Sequence, residues 1–533
     1  MKAIKYILLL TVASIMPACV EDEGNYSYTP VNEINIDGIE SQYTGMAYSD
    51  VIDIVPDITG SVNGDDTSSY EYTWYRCSNS HTHQVIGTER ELHWLANAAP
   101  GSHTVYLRVK DTQTGYEKSQ ATTIVLSSPF TSGFLILGNR PHTDNLVGLD
   151  MLSIIAGKND TIYAKDVFDN SEHQIKNAKA LFYTGNSRSN RFYLQTEDAT
   201  YNPTFRADFE TLGNEFNDLG LIECLVPHKV PMKLVDVGMR QGVHTASSLT
   251  MLPRIYLTED LAFGHKGTEK MNQPVNRYST TSKDYYKFYP YIFYNTRKAI
   301  SLPPNFDGSS YSPILLYDTD NGCFSYITGT ALAFTHSIDM SNSPVLTGAG
   351  IYLKDQPNGR TIVYGENDYS PSNGRTNIIM KDKDNKYFLY RFTLTYPSMG
   401  YMPAPSVGNP YSCELNINEM TNFLNREHMF FASGTTQIYY AVGNTLYIYD
   451  YVSKKIGVKQ FEAKITYLAP EVCSIRNDVS NYWVATFDGN NGRLHKMKIV
   501  DNPNFIDFAE LPNQTWDIDL EIKSVLWKGG MFN

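Results

Sequence analysis

Along most of the chain the apolar residues come in short runs, many alternating with polar ones and bounded by Gly, Asn, Asp and Pro. Alternation of period two puts successive side chains on opposite faces of a strand, so the pattern predicts a protein built almost wholly of β-strands. "SYEYTWYRC" (69–77) alternates around Trp74, and "SHTVYLRVKDTQTGYEKSQATTIVL" (102–126) gives two strands joined by a turn over Asp111–Gly115. Pro100-Gly101, just ahead of the second stretch, is a turn dipeptide. Beyond residue 130 one plan recurs: an apolar strand, an Asx/Gly turn, a second apolar strand. It is seen at 133–152, 180–196, 312–328, 377–394, 436–451 and 480–499, with a large insertion around 253–312.

Each of these hairpins has the form of part of a propeller blade, and about 400 residues at roughly 50–60 per blade predict about seven blades. Six or eight would also fit that length. "GFLILG" (133–138) and "IKSVLWKGG" (522–530) are expected to pair within one blade and close the ring, which would remove exposed sheet edges. Ahead of the ring, roughly seven short strands in about 95 residues, with a Trp in a mid-domain strand, meet the pattern of an immunoglobulin-like sandwich. The expected fold class is therefore all-β, an N-terminal Ig/PKD-like β-sandwich over 31–127 followed by a β-propeller over 128–533. The Trp strand, the leucine-containing strand after it, "PGSHTVYLRVKDTQTG" and "GFLILG" together resemble the PKD-like lipoprotein family of Bacteroidota, a resemblance that extends along the chain. Its motifs are structural. What the resemblance implies is an accessory protein of SusC/SusD-type outer-membrane importers, engaged in capture of peptides or glycans.

The first residues read differently. Lys2 and Lys5 precede the apolar run Tyr6–Met16, and Pro17-Ala18 follow, which has the charge and length of a signal peptide over 1–18 and is too short to span a bilayer. A small residue directly before Cys19 resembles the lipobox of bacterial lipoproteins, although Met16 stands where that pattern prefers Leu. The resemblance implies that Cys19 carries the lipid. Glu21, Asp22 and Glu23 follow in an acidic tether over 19–30, similar to the surface-export signal of Bacteroidota lipoproteins; a solvated acidic run is the plainer reading. The expected location is the outer membrane, lipid-anchored, facing outward.

A net charge of −13 argues against nucleic acid and anionic membrane surfaces as partners, since both reward a basic patch. Cys77, Cys224, Cys323, Cys413 and Cys473 are odd in number and widely spaced, which predicts mostly buried thiols rather than a disulfide framework and leaves one long-range disulfide open. Asp318-Thr-Asp320-Asn321 and Asp382-Lys-Asp384-Asn385 begin as calcium loops do but lack the distal Glu, and each sits between two apolar strands, where a hairpin turn is expected. His81-Thr-His83 lies in a polar loop with no accompanying ligand. No nucleophile elbow, phosphate loop or dinucleotide fingerprint occurs, and neither cofactor nor metal is expected.

Aromatic clusters remain. "DYYKFYPYIFYN" (284–295) is expected to fill the space between sheets, whereas Tyr396, Tyr401 and Tyr411, among prolines and glycines, are candidate ligand contacts. Two functions follow as expectations. The first is a non-catalytic surface protein that binds or scaffolds for a SusC/SusD-type transporter. The second is a surface hydrolase of glycosidase type, whose two carboxylates would face each other about 5–9.5 Å apart at the propeller mouth.

Overall fold

The structure is a computed structural model and describes residues 31–77, 83–128, 130, 133–154, 161–168, 170–171, 173–184, 191–205, 212–218, 233–239, 254–265, 274, 285–294, 314–327, 344–368, 375–395, 406–472, 479–502 and 505–528. They fall into two compact units. One runs to Val125 apart from the short segments Met46–Tyr48 and Asn97–Gly101, and the other contains Leu126 onward.

The first unit is a β-sandwich. A five-stranded sheet takes Gln42–Met46, Glu117–Ser127, Gly101–Asp111, Tyr70–Cys77 and His83–Gly87 in that spatial order, and two strand pairs, Ile34–Asp37 with Asp57–Gly60 and Val51–Ile54 with Leu92–Leu95, complete it. Alternation decides which face is buried: Trp74, Val105, Leu107, Val109 and Ile124 point into the core while their neighbours face water. Trp74 is fully buried, and its indole N–H donates to the Glu89 carbonyl at 3.1 Å, so the large ring brings no orphaned donor inside. The turn after Gly101–Asp111 forms where the spacing predicts it. The Gly115 amide closes on the Asp111 carbonyl at 2.8 Å, and Gly115 takes a φ of +72° that a side chain would resist.

In the second unit the described strands form seven successive antiparallel sheets. Sheet 1 holds Gly133–Asn139, Val147–Ile154, Thr161–Ala164 and the last strand, Glu521–Lys528; sheet 2 runs from Ala178–Thr184 to Leu212–Asp218. Sheet 3 comprises Leu234–Met239, Arg254–Thr258 and Ala262–His265, and sheet 4 comprises Phe293–Tyr294, Ile314–Asp318 and Cys323–Ile327. Sheet 5 runs from Thr361–Asn367 through Arg375–Lys381 and Tyr387–Thr395 to Ser406–Leu415. Sheet 6 spans His428–Phe431, Gln437–Val442, Thr445–Asp450 and Lys455–Gln460; sheet 7 spans Lys464–Pro470, Asn481–Phe487, Gly492–Lys498 and Ala509–Ile518.

Why these sheets form a ring is visible in their burial. Middle strands such as Gln437–Val442 and Thr445–Asp450 are buried on both faces, so each sheet needs a neighbour on either side. Apolar clusters supply one at every step. Leu137 and Leu149 meet Leu181 and Leu194 between sheets 1 and 2, Tyr193 meets Tyr256 between 2 and 3, and Leu257 meets Leu316 between 3 and 4. Phe324 packs with Phe392 between 4 and 5, Leu389 with Tyr440 between 5 and 6, Tyr439 with Tyr482 between 6 and 7, and Trp483 with Phe134 between 7 and 1. The series returns to its start, which is the propeller arrangement.

The closing strand pairs as the sequence suggests. Glu521–Lys528 runs antiparallel to Gly133–Asn139 from Gly133↔Lys528 to Asn139↔Glu521, with one register shift at Leu137/Gly138. A Cβ on Gly138 would lie 2.5 Å from the Glu521 carbonyl oxygen, so the shifted register depends on glycine there. Each of the six hairpins read from the sequence lies within one sheet. The stretch read as an insertion around 253–312 instead contributes two strands of sheet 3 and the first strand of sheet 4. Among its described aromatics, Phe293 is fully buried against Phe324, and Phe288 and Tyr285 pack on neighbouring clusters.

Candidate functional site

Three places in the ring gather titratable side chains. The first is the set of leading strands, several of which neighbour one another around the ring. Asp236 at the start of sheet 3 accepts the Ile292 amide of the next sheet at 2.7 Å and its own neighbour's amide, Val237, at 2.7 Å. Glu366 on the leading strand of sheet 5 accepts the Phe431 amide of sheet 6 and the Tyr364 hydroxyl at 2.8 Å. Burial pushes the Asp236 carboxyl up to about 6 and that of Glu366 up to about 8. These acids join one sheet to the next through backbone donors.

The second place is a cleft of ≈ 400 Å³ between sheets 6 and 7, with Phe461 and His495 on its wall. His495 stacks edge-on to Phe461 at 5.3 Å, and burial holds its imidazole below the usual range. Four carboxylates line the cleft, three of them engaged and Glu462 exposed. Asp517 pairs with Arg493 at 2.9 Å, Glu462 lies 3.9 Å from the same guanidinium, Glu510 pairs with Lys459, and Asp488 accepts the Asn490 and Asn491 amides at 2.7 Å.

The third lies between sheets 5 and 6. Arg391, on the third strand of sheet 5, is the register partner of Tyr411 on the fourth. Its guanidinium sits 5.2 Å from the Tyr411 ring centre and 5.8 Å from that of Tyr451, donates to the Tyr451 hydroxyl and reaches the Thr435 carbonyl at 3.4 Å. Nearby, the Arg375 Nε donates to the buried Asp368 at 2.7 Å, while the Arg375 Nη2 is buried with no hydrogen-bond partner. Both arginines hold the Tyr451 phenol down, but burial wins and pushes it up to about 12, so it stays neutral. Burial likewise raises Tyr411, which is half-buried rather than fully exposed.

Tyr411 is thus the one candidate tyrosine whose surroundings are defined. Tyr396 and Tyr401 lie outside the described residues, as do Cys19, Glu21, Asp22, Glu23, His81, Cys224 and Cys473. His83 Nδ1 approaches the Cys77 thiol at 3.2 Å and its ring meets Tyr75 at 5.2 Å. Cys77, Cys323 and Cys413 are free thiols, half-buried rather than buried as expected. Asp318 accepts the Asp320 and Asn321 amides at 2.9 and 3.0 Å, and Asp382 accepts the Asp384 and Lys386 amides at 2.9 Å. Both carboxylates therefore cap their own hairpins. Among the described residues no group of three or more His, Cys, Asp or Glu side chains is placed to hold a metal ion. Nor is any helix among them long and apolar enough to cross a membrane.

Arg391 and Arg375 escape the sequence reading. The available signal is a lone arginine inside the apolar strand "YFLYRFTL", where a charge has to find company or an opening.

The PKD-like family model matches residues 19–171, a span that contains the sandwich and the first three strands of the ring. No curated protein matches the chain. Among solved structures, a quinonprotein alcohol dehydrogenase-like protein from Bacteroides thetaiotaomicron is 9% identical, with 92% of this chain and 94% of that one covered at a TM-score of 0.26. The extracellular domain of a hybrid two component system from the same organism is 11% identical, with 86% of this chain and 61% of that one covered at a TM-score of 0.33. At such scores the likeness carries no argument, and the ring rests on its own sheets and seams.

Proposed function

We propose that this chain is a non-catalytic binding or scaffolding protein of the cell surface, tied to the outer membrane through a lipid on Cys19 and serving a SusC/SusD-type nutrient transporter. The observation that carries the reading is how the acidic groups are used. A hydrolase of the glycosidase kind needs one carboxyl to give a proton and another left open to attack or to activate water. In the cleft Asp517 and Glu510 pair with cations and Asp488 with turn amides, Glu462 stands exposed in solvent, and on the leading strands Asp236 and Glu366 are held by backbone donors of the neighbouring sheet. A ring knitted in this way suits rigid display of loops and seams to a ligand or partner. The short apolar run ahead of Cys19 and the acidic Glu21-Asp22-Glu23 behind it support export and anchoring.

Affinity purification of the tagged full chain from native outer membranes tests the proposal. A SusC/SusD-type pair is expected to co-elute, and Cys19→Ser is expected to release the protein from the membrane fraction. Recovery of a solitary protein that liberates reducing sugar from glycans would overturn the reading.

A further inference from the structure

We propose that Arg391 anchors a binding site for a carboxylated sugar, a uronate unit of an acidic glycan. The inference rests on the reading of the protein as a binder and names what it binds.

A guanidinium on an interior strand normally brings its counter-ion with it. Arg391 does not: its partners are the Tyr451 hydroxyl, the Thr435 carbonyl and two phenol rings, and among the described residues no carboxylate lies within ion-pair distance of it. The sheet 5 loops at this end of the strands, 369–374 and 396–405, contain no Asp or Glu, so they bring no carboxylate either. Tyr451 remains neutral, and Asp368 is committed to Arg375. Asp450, beside Tyr451, is held by the Thr436 hydroxyl and the Val452 and Ser453 amides, so each carboxylate of the neighbourhood is bound elsewhere and Arg391 is left with neutral partners on a protein of net charge −13.

The geometry also fits a planar acid. Arg391 spends its Nη1 on Tyr451 and Thr435, and the two rings hold the side chain in place, so the ordering cost of a two-pronged carboxylate contact is already met. Tyr451 and Thr435 are buried and hold the guanidinium from inside, while the half-buried ring of Tyr411 and the backbone at the rim of the strand pair remain beside the fork. These are partners for sugar hydroxyls and for the apolar face of a pyranose, which the carboxylate of a peptide would leave unused. Because the whole protein repels anions at long range, an acidic glycan needs such an unbalanced cation to be held at all.

Calorimetric titration of the full chain with tetragalacturonate, with galactotetraose as the neutral control and hexaglutamate as the acidic peptide, tests the site. Tetragalacturonate is expected to bind at least about tenfold more tightly than either control, and Arg391→Met to weaken it by at least about tenfold. Arg391→Lys should fall between, because an ammonium keeps the charge and loses the fork. Arg493→Met in the cleft should leave binding unchanged, and Tyr451→Phe, which removes only a hydroxyl, supplies a second variant should Arg391→Met fail to fold. No binding of tetragalacturonate, equal binding by Arg391→Met, or preference for hexaglutamate would each overturn the assignment. Co-elution with a transporter pair without uronate binding would sink the site and spare the binder; bound uronide that is cleaved would do the reverse.

Discussion

Of the cations in the ring that meet two aromatic rings, Lys496 and Arg391 are treated in opposite ways. Lys496 on sheet 7 sits 5.4 Å from the Trp483 ring centre and 5.9 Å from that of Phe134, across the seam where the ring closes. Its side chain is only 8% exposed, and it meets Glu471, 4% exposed, at 2.7 Å; the other Glu471 oxygen accepts from Asn481 at 2.7 Å. Arg391 lies between Tyr411 and Tyr451 on the sheet 5/6 seam with no carboxylate. The difference teaches where a charge can be left alone. An ammonium removed from water loses several kcal/mol of hydration and needs an ion partner with its remaining lone pairs satisfied. A guanidinium is more weakly hydrated and spreads its charge over a plane, so two rings and two neutral oxygens suffice while part of it stays at the rim.

The strongest way to break the comparison is at Lys496. Lys496→Met should cost about 3–5 kcal/mol in urea unfolding, because Glu471 is left buried without its cation. Adding Glu471→Gln should restore most of that loss. A single variant within about 1 kcal/mol of the parent would show that Glu471 reaches water, and the contrast with Arg391 would fail.

Glu366 offers a third treatment of buried charge, which is to remove it by protonation. Its folded value of about 8 stands above the ordinary 4.5, chiefly because burial penalises the carboxylate, with Asp368 nearby adding to the rise and the Phe431 amide and Tyr364 hydroxyl opposing it. The folded state therefore holds a proton that the unfolded chain has released. Stability from this group is fully present below about pH 4.5, falls as pH rises, and is flat above about pH 8. Urea midpoints measured across that window should decline in the parent relative to Glu366→Gln, at no more than about 1.4 kcal/mol per pH unit. Parallel curves would mean that Glu366 is ionised in the fold and that solvent reaches it.

These charges also mark what the sequence could convey. Alternation around Trp74, the turn at Asp111–Gly115, six of the hairpins and the pairing of 133–138 with 522–528 are local or strongly patterned, so they were legible. Sheet 3 was not, because Leu234–Met239, Arg254–Thr258 and Ala262–His265 are short and separated by stretches with no clear alternation. The seams were illegible for a different reason. Lys496 in "GRLHKMKI" alternates like a solvent-facing residue, and only the approach of Glu471 and Phe134 from elsewhere in the chain turns that face inward. Prolines and glycines around Tyr411 point to a loop contact, whereas its defined surroundings are Arg391 across the strand pair and Tyr451 on sheet 6.

The smallest effect sharpens the comparison from the other side. If Arg391 is held at a rim rather than in a core, Arg391→Met should cost only about 0.5–1 kcal/mol, the worth of a partly exposed cation–ring contact. The methionine keeps much of the stem that packs on Tyr411 and leaves no carboxylate stranded. Tyr451→Phe should cost a similar amount, and the double variant should fall short of the sum, since both remove the same hydrogen bond. A loss as large as that of Lys496→Met would place Arg391 among the structural charges and give the two seams one rule. A small loss leaves Arg391 as a cation that the fold tolerates without needing, which is the condition under which a side chain is available to a ligand.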